Sequence, residues 1–413
     1  MKITVICHYF YPEIGAPSAR LFEMAKRWVG EGHQVSVVTC FPNHPTGIIP
    51  EHYRGKKYMV EEIEGIRVYR NYVYATPNEG FVKKTMGHVS FMLSSIFQSM
   101  VHIPKPNVII VSSPTLFSVI SGYVFSIFRR SPFVFEVRDL WPDAIIKLGV
   151  LKNKWIIKAL ESLEMFLYRR SKKVVVVTQS FKKQLCERGV QEAKIEVITN
   201  GVDTDIFNKE SLPASNELRS EYGWGDRKIL LYAGAHGISQ GLSTLVEVAL
   251  RMRDNNDLLF VFVGEGAEKP KVLDLASKYQ LTNIQFISSQ SKDRIPLFYS
   301  EAYLSFVPLR NLPLFDAYIP SKMFEILGSG CPIVGSISGE AEEILRSSRG
   351  AILAEPENVD QIEQAVKKLT NDSVLREQLS KEGYEFVKRN FSRAALANKY
   401  LDVLTGIEKE NLK

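Results

Sequence analysis

The sequence has few of the features that mark a disulfide-rich, zinc-binding or secreted protein. The chain of 413 residues contains four cysteines, Cys7, Cys40, Cys186 and Cys331, and no two of them have C-x-x-C spacing. This scatter indicates neither a zinc site nor a disulfide framework. The amino terminus, M-K-I-T-V-I-C, runs straight into a strand-like segment without a small-residue cleavage site, which argues against a secretory signal. A reducing cytoplasm is therefore expected.

Three further classes of protein are disfavoured by what is missing. The sequence has no G-x-G-x-x-G, so the standard dinucleotide fingerprint is absent. No zinc finger or RNP-type aromatic strand points to nucleic acid. Residues 107–128 form a charge-free run of 22 residues, long enough to test as a transmembrane helix. Because Ser112, Ser113 and Pro114 interrupt this run, we interpret it as a buried strand followed by a helix.

Positive charge is concentrated in the first half of the chain. Residues 1–200 carry 27 Lys and Arg against 16 Asp and Glu, a net charge of +11, whereas the remainder carries a net charge of −5. A basic half suits an anionic substrate or an anionic membrane surface. The predicted helix at 81–102 is apolar with Lys83 and Lys84 at its start, and another helix ends in Arg129 and Arg130. This pattern fits a membrane interface, and simple core packing with solvated ends fits it equally well.

The order of predicted elements indicates an α/β fold in two domains. A β-branched run at residues 2–7, an apolar-periodic helix ending near Gly30 and a second run at 34–39 make one βαβ unit. The same alternation begins again at residue 228. Since 413 residues exceed one comfortable core, we expect two Rossmann-like α/β/α domains in tandem.

The stretch Y-I-P-S-K-M-F-E-I-L-G-S-G at residues 318–330 is the strongest candidate for a binding site. Pro320 and Ser321 favour a helix start, and Lys322 and Glu325 then share one face of that helix. Backbone amides and the Lys322 ammonium would hold a phosphate, while the Glu325 carboxylate would accept hydrogen bonds from sugar hydroxyls. The pattern thus predicts a nucleotide diphosphate site. An ordinary amphipathic helix with solvated Lys and Glu is the alternative.

Taken together, these segments resemble the retaining glycosyltransferases of the GT-B type, family 4. The resemblance covers nearly the whole chain and is carried by the Gly15 loop, N-G-V-D-T-D-I-F, Y-A-G-A-H-G-I-S-Q-G and P-S-K-M-F-E-I-L-G-S-G-C-P, in that order. Within the family, H-Y-F-Y-P-E-I-G-A-P-S-A-R and E-V-R-D-L-W-P-D are most similar to the branch that builds lipid-linked bacterial surface polysaccharides, including L-fucosamine transferases.

The resemblance implies a division of labour between two domains that face a central cleft. Residues 1–204 would hold the acceptor and residues 205–392 the nucleotide-sugar donor, with a last helix at 393–413 crossing back to the first domain. The implied reaction moves an N-acetylated amino sugar from a UDP-sugar, with retention, to a polyprenyl-diphosphate-linked saccharide of an O-antigen or capsule. The implied location is cytoplasmic, peripheral on the inner face of the cytoplasmic membrane. No cofactor or metal is expected, since no D-x-D pair is placed to hold one.

Site residues follow from the same resemblance. Asp139, Lys322 and Glu325 are the catalytic candidates, and Asp139, which would orient or deprotonate the acceptor hydroxyl, could equally form a salt bridge with Arg138 or cap a turn. The donor-binding set is Gly15, Arg20, Arg138, Gly234, His236, Gln240, Gly264, Ser321, Lys322 and Glu325.

The chain departs from the family pattern at three places. The family's basic pair falls on Ala235 and Gln240, and its first carboxylate falls on Ala317, which leaves Asp316 as a stand-in. Many members also have a histidine where this chain has Arg138 and Asp139. Two other functions therefore stay open: a nucleotide-sugar epimerase, which needs no acceptor, and a non-catalytic protein that binds a nucleotide sugar or a membrane.

Overall fold

A computed structural model describes residues 1–13, 15–44, 46–76, 81–113, 115–140, 142–143, 146, 151–208 and 216–412. Ile14 and Trp141, which belong to two of the quoted motifs, lie outside the described residues. The chain divides into two compact units, the first formed by Met1–Thr199 with Ala394–Lys413 and the second by Asn200–Arg393. The division falls a few residues before the boundary predicted at residue 204.

The first unit is built on a mostly parallel sheet of eight strands in the described part of the chain. Its strand order is β3-β4-β2-β1-β5-β6-β7-β8, and only the β3–β4 pair is antiparallel. Ile3 pairs with Val35 on one side and Val108 on the other. The strands are β1 Lys2–Ile6, β2 Gln34–Cys40, β3 Tyr58–Ile63, β4 Ile66–Asn71, β5 Val108–Ser112, β6 Phe133–Val137, β7 Lys173–Val176 and β8 Ile195–Val197.

Helices cover this sheet and begin where the sequence supplies caps. The side chains of Thr115, Asn153 and Thr178 accept hydrogen bonds from first-turn amides. These helices are α1 Ala16–Gly30, α2 Phe81–Ser94, α3 Leu116–Arg129, α4 Lys154–Arg170 and α5 Gln179–Glu187. Helix α2 continues through a π-helical segment, Ser95–Ser99, and a last turn, Met100–His102. The strand and helix expected in the charge-free run are confirmed as β5 and α3, and no described helix is long and apolar enough to cross a membrane.

The second unit contains a parallel sheet of six strands among the described residues, in the order β11-β10-β9-β12-β13-β14. Strand β10, L-L-F-V-F-V, is buried along its whole length, which is why it reads as an unbroken apolar run. The strands are β9 Lys228–Ala233, β10 Leu258–Val263, β11 Ile284–Ile287, β12 Ala302–Pro308, β13 Ile333–Ser336 and β14 Ala351–Ala354. The helices are α6 Asn216–Tyr222, α7 Ser243–Arg251, α8 Lys269–Lys278, α9 Ile295–Glu301, α10 Lys322–Gly328, α11 Gly339–Ser348, α12 Val359–Asn371 and α13 Ser373–Asn390.

The last helix, α14 at Arg393–Leu412, packs on the first unit. The Trp28 indole donates to the Ala397 carbonyl at 3.1 Å, and its ring meets that of Tyr400 edge-on at 5.6 Å. Both side chains are fully buried. The chain therefore returns to its first sheet after completing the second, and the predicted fold class, two tandem α/β domains, is confirmed.

Candidate functional site

Helix α10 places the predicted donor residues at the carboxyl edge of the second sheet. It follows β12 by way of a 3-10 turn, Pro313–Ala317, and begins at Lys322 with Ser321 in the cap position, as the sequence predicts. The Ser321 side chain makes no cap hydrogen bond, contrary to expectation. With only seven residues, this helix has a weak dipole, so an anion here would depend mainly on side-chain charge.

The Lys322 ammonium is buried without a hydrogen-bond partner among the described residues. Its Nζ atom lies 4.0 Å from the centre of the Tyr232 ring. Burial lowers the pKa of Lys322 to about 7, and the nearby Glu325 carboxylate only partly opposes that shift. A cation held over a ring face and otherwise unpaired is poised to meet an anion.

Two glycine loops make room for this ammonium. A Cβ atom on Gly234, whose φ is +143°, would lie 2.3 Å from Lys322 Nζ, so any larger residue would displace the cation. A Cβ on Gly264, with φ of +142°, would lie 2.0 Å from the Gly234 carbonyl oxygen. Only glycine permits both approaches, which locks the loop after β9 against the loop after β10. The predicted pair Gly234 and Gly264 thus meets in one place.

His236 stands in the same loop and is fully buried. Neither of its ring nitrogens has a partner among the described residues. Its backbone is held tightly, since its amide donates to the Glu265 carbonyl and its carbonyl accepts from the Glu268 amide, both at 2.9 Å. Burial, then the charges of Lys269 and Lys322, lower the pKa of His236 to about 4. Its imidazole is therefore neutral and offers one donor and one acceptor.

Gln240 plays a local part in this loop. Its side-chain oxygen accepts a hydrogen bond from the Gly237 amide at 3.1 Å. The hydroxyl of Tyr232 holds the same loop by donating to the Ala235 carbonyl at 2.6 Å. The positions that lack the family's basic pair therefore contribute loop shape in this structure, and donor binding by Gln240 stays a prediction.

Glu325 is the anionic counterpart of the site. Burial raises its pKa to about 7, against the opposing charges of Lys292 and then Lys322. Glu325 forms no ion pair with Lys322 within the described part of the chain, although they are three residues apart. The sequence analysis missed Lys292. Burial lowers the pKa of this lysine, and the charge of Glu325 opposes the shift only in part. Lys292 could have been found from its position shortly after β11, because parallel strands end at the same edge of the sheet.

Asp316, the suggested stand-in for the missing first carboxylate, supports a neighbouring helix. It accepts a hydrogen bond from the Ser338 hydroxyl at 2.5 Å, directly before α11. A Cβ on Gly339 would lie 2.1 Å from the Asp316 carbonyl oxygen, so the two backbones touch. The structure thus gives Asp316 a positioning role, and a ligand role for it has no support from these contacts.

Two predicted residues of the first unit belong to a buried ionic network. Arg20 lies 3.4 Å from a Glu136 carboxylate oxygen and donates to the carbonyls of Ile198, at 2.8 Å, and Thr199. The other Glu136 oxygen accepts from the Ser112 hydroxyl at 2.9 Å and lies 4.0 Å from Arg138. Arg20 therefore fixes the end of the first unit's chain, and its assignment to the donor stays a prediction.

Arg138 and Asp139 follow β6 at the carboxyl edge of the first sheet. The Arg138 nitrogen that lies 4.0 Å from Glu136 is buried without a hydrogen-bond partner among the described residues, and burial lowers the pKa of this guanidinium to about 10. Burial raises the pKa of Asp139, and Arg138 opposes this. No ion pair joins these two described side chains, so the salt-bridge alternative is not what the structure shows.

Gly15 caps α1, and its carbonyl accepts from the Ala19 amide at 3.0 Å.

The arrangement in the second unit defines a class of protein. A buried ammonium, an adjacent carboxylate and two interlocked glycine loops lie together at the carboxyl edge of a parallel sheet, and these groups have the chemistry to bind a phosphate and sugar hydroxyls. Among the described residues no group of three or more His, Cys, Asp or Glu side chains could hold a metal ion. Metal independence itself stays a prediction. The fold is that of a two-unit α/β protein, and the chemistry of the site suits an anionic, sugar-like ligand.

Comparison with known protein families identifies the family of this protein. Residues 18–206 match the model described as Glycosyltransferase Family 4, and residues 214–386 match the one described as Glycosyl transferases group 1. Together the two models span nearly the whole chain. The protein is a GT-B glycosyltransferase of the group 1, family 4-like kind.

Individual relatives agree with this family. The putative colanic acid biosynthesis glycosyl transferase WcaI of Escherichia coli is 28% identical over 91% of this chain and 95% of its own length. The 2-deoxystreptamine N-acetyl-D-glucosaminyltransferase of Niallia circulans is 26% identical over 54% of this chain and 57% of its own. The structure of Anabaena Alr3699/HepE in complex with UDP superimposes with a TM-score of 0.70, at 14% identity, over 98% of this chain and 100% of that one. The last similarity shows the fold alone.

Proposed function

We propose that this protein transfers an N-acetylated amino sugar from a UDP-sugar, with retention of configuration, to a lipid-linked sugar acceptor of a bacterial surface polysaccharide such as an O-antigen or capsule. The name of the E. coli relative supports a surface glycan, and that of the N. circulans relative supports an amino sugar. The UDP complex of the Anabaena neighbour supports the nucleotide.

The unpaired Lys322 ammonium is the observation that carries this proposal. A buried ammonium without a hydrogen-bond partner is costly, and the Glu325 charge offsets only part of that cost, which supports a ligand anion as its partner. The diphosphate of a UDP-sugar is such an anion. Glu325, a carboxylate three residues away, is unsuited to phosphate and suited to accept hydrogen bonds from the two ribose hydroxyls. His236 adds one neutral donor beside them.

Retention needs no side-chain nucleophile if the departing diphosphate itself accepts the proton. The bond from the anomeric carbon to the diphosphate oxygen breaks, the acceptor oxygen bonds to that carbon from the same face, and the acceptor proton passes to the diphosphate. Negative charge grows on the leaving group, and Lys322 stabilises it there. Asp139, with its raised pKa, orients the acceptor hydroxyl in this proposal.

The same proposal places the first unit on an anionic membrane surface. Phe97 and Val101 on the extension of α2 are 74% and 70% exposed, and Ile127 and Phe128 at the end of α3 are 59% and 61% exposed. Arg129 joins the two helix ends by donating to the Met100 carbonyl at 2.6 Å. Exposed apolar side chains next to arginines are typical of surfaces that insert shallowly among anionic lipids.

Product analysis tests the transfer reaction. The purified protein is incubated with a panel of UDP-sugars and polyprenyl-diphosphate-linked sugars, with and without EDTA, and products are identified by mass. We expect one amino-sugar residue to be added to an acceptor, in EDTA as well, and Lys322→Ala and Glu325→Ala to abolish the addition with the fold retained. Epimerised UDP-sugar without acceptor, or saturable UDP binding with no turnover across the panel, would overturn the proposal.

A further inference from the structure

A polar pocket in the first unit is lined by none of the predicted catalytic or donor-binding residues. It has about 390 Å³ of empty volume and opens where β1 and β2 end. His8 comes from the loop after β1, His44 from the loop after β2, and Lys84 and His88 from α2. The full lining is His8, Tyr9, Asn43, His44, Gly47, Val73, Tyr74, Thr76, Lys83, Lys84, Gly87 and His88. These described lining residues include three imidazoles and two ammonium groups and no carboxylate.

Two imidazoles of this pocket have a buried ring nitrogen without a hydrogen-bond partner among the described residues. His8 is 4% exposed, and its Nδ1 atom and that of His88 are buried without a partner among the described residues. The two rings meet edge-on, with centres 4.5 Å apart. Burial and then the charges of His88 and His44 hold the pKa of His8 well below its usual range, and burial with Lys84 lowers that of His88 to about 4. The described lining of the pocket therefore brings several potential cations together and contains no carboxylate.

The fold keeps this pocket in shape with a carboxylate placed behind it. Glu13 accepts hydrogen bonds from the backbone amides of Asn43 and His44 at 2.8 and 2.9 Å, and from the Phe10 amide at 3.3 Å. The Thr39 hydroxyl donates to the His8 carbonyl at 3.1 Å. Glu13 thus ties the β1 loop to the β2 loop while its own oxygens are used by backbone amides. The walls that carry His8 and His44 are preorganised, as a binding site requires.

We propose that this pocket binds the diphosphate of the acceptor, with Lys84, His8, His44 and His88 as its ligands. Ammonium and imidazole N–H groups donate to phosphate oxygens, and several of them converging on one cavity suit a doubly charged group better than a neutral sugar. The inference rests on the proposed function for the identity of the acceptor. The pocket's preference for a diphosphate rests on its own residues.

One feature beside the pocket suits a lipid-linked diphosphate. Met86, one turn after Lys83 on α2, is 51% exposed, and Leu93, two turns further along, is 46% exposed. Exposed apolar side chains therefore follow the lysines along the same helix. A diphosphate bound at Lys84 would leave a hydrocarbon chain next to apolar surface, which lowers the cost of exposing that chain to water.

Binding of farnesyl diphosphate, inorganic pyrophosphate and UDP to the full chain tests this assignment by calorimetry. We expect Lys84→Ala and His88→Gln each to weaken farnesyl diphosphate and pyrophosphate binding about ten- to a hundredfold, the usual effect of losing one charge-assisted hydrogen bond. Binding of UDP should be unchanged. Lys183→Ala removes an exposed lysine of the same unit and should change none of the three affinities. Because Lys84 is exposed, its variant should fold normally.

The outcomes separate this proposal from the proposed function. Loss of pyrophosphate binding in the Lys84 and His88 variants supports the pocket even if no sugar transfer is ever found. In a working assay, the KM for the lipid acceptor should rise and that for the UDP-sugar should not. Unchanged farnesyl diphosphate affinity in both folded variants overturns the assignment. So does loss of farnesyl diphosphate binding in Lys322→Met, because the donor unit would then hold both diphosphates.

Discussion

Replacing Lys322 by methionine should make the unliganded protein more stable and its nucleotide binding weaker. The lysine stem fills space beside Gly234, and methionine keeps most of that volume without the ammonium. Because Nζ is buried and has no hydrogen-bond partner among the described residues, desolvation of its charge destabilises the wild-type fold, and Glu325 and the Tyr232 ring offset only part of that cost. If Lys322 served only to stabilise the fold, its replacement by methionine would lower the stability of the protein and leave nucleotide affinity unchanged.

The structure sets the size and the pH dependence of this gain. Burial lowers the pKa of Lys322 from 10.5 to about 7, which corresponds to a destabilisation on the order of 5 kcal/mol when the group is protonated in both states. The cation–π contact with the Tyr232 ring offsets about 1–2 kcal/mol of this destabilisation. A lowered lysine pKa means that stability is lost as pH falls from 10.5 towards 7. The advantage of the variant should therefore be full below about pH 7 and vanish above pH 10.5.

Thermal unfolding and UDP calorimetry at pH 6 and pH 9 measure both effects. We expect the melting temperature of Lys322→Met to exceed that of the wild type by roughly 5–10 °C at pH 6, and by less at pH 9. UDP affinity should fall about a hundredfold. Lys228→Met is the matched control, because Lys228 also lies over a tyrosine ring, at 5.0 Å, yet donates to the Thr370 carbonyl at 2.9 Å. It should gain no stability and bind UDP normally. A destabilised Lys322→Met with normal UDP affinity would refute the reasoning.

Three other predictions follow from the same contacts. The kcat/KM for UDP-sugar should have a bell-shaped pH dependence centred near pH 7, because Glu325 ionises as pH rises through about 7 and Lys322 loses its proton over the same range. Glu325→Gln should lose the acidic limb of this profile, and an acidic limb that persists in the variant would show that another group causes it. Gly234→Ala should weaken UDP binding at least about tenfold, whereas Gly223→Ala, with open space around its Cβ, should cost only about 1 kcal/mol of stability; equal UDP affinities would contradict this. Sedimentation should be stronger with anionic than with neutral vesicles and should fall in Phe97→Ser, and equal sedimentation with both vesicle types would count against the membrane surface.

Most of the fold was predictable because the strands are buried on both faces. Strands β6 and β10 are continuous apolar runs whose β-branched and aromatic residues stop where polar loops begin. Strand β3, Tyr58–Ile63, was not predicted, because it is an edge strand with Glu61 and Glu62 in it and has no continuous apolar run. Its turn, Glu64–Gly65, has φ of 51° and 74°, the pattern of a tight hairpin that the sequence analysis overlooked.

Two further elements were missed for a similar reason. Helix α6 at Asn216–Tyr222 is short and strongly charged, and β14 at Ala351–Ala354 is a four-residue edge strand, so neither has a clear period in the sequence. Tertiary contacts decide both. Strand β14 exists because it pairs in parallel with β13, with Ile333 opposite Ala351.

The candidate site was predictable in its residues and less so in its physics. The sequence indicated that Lys322 and Glu325 share a helix face and that a glycine loop follows β9. It led us to expect backbone amides at a helix tip as the main anion ligand, whereas the helix has seven residues and the ammonium is the stronger feature. That Lys322 fills the place of a Gly234 side chain depends on contacts between residues nearly a hundred positions apart, which no local pattern encodes.

The two proposed diphosphate sites differ in what binding does to protons. A bound anion raises the pKa of Lys322 back towards its ordinary value. Because this side chain is about half protonated near pH 7 without ligand, anion binding there is accompanied by proton uptake. At His88, whose pKa lies near 4, a diphosphate must overcome both burial and the charge of Lys84 before the ring is protonated. The donor site should therefore couple to protons near neutral pH and the acceptor pocket only in acid. Each unit can then be tested for its ligand without disturbing the charge state of the other.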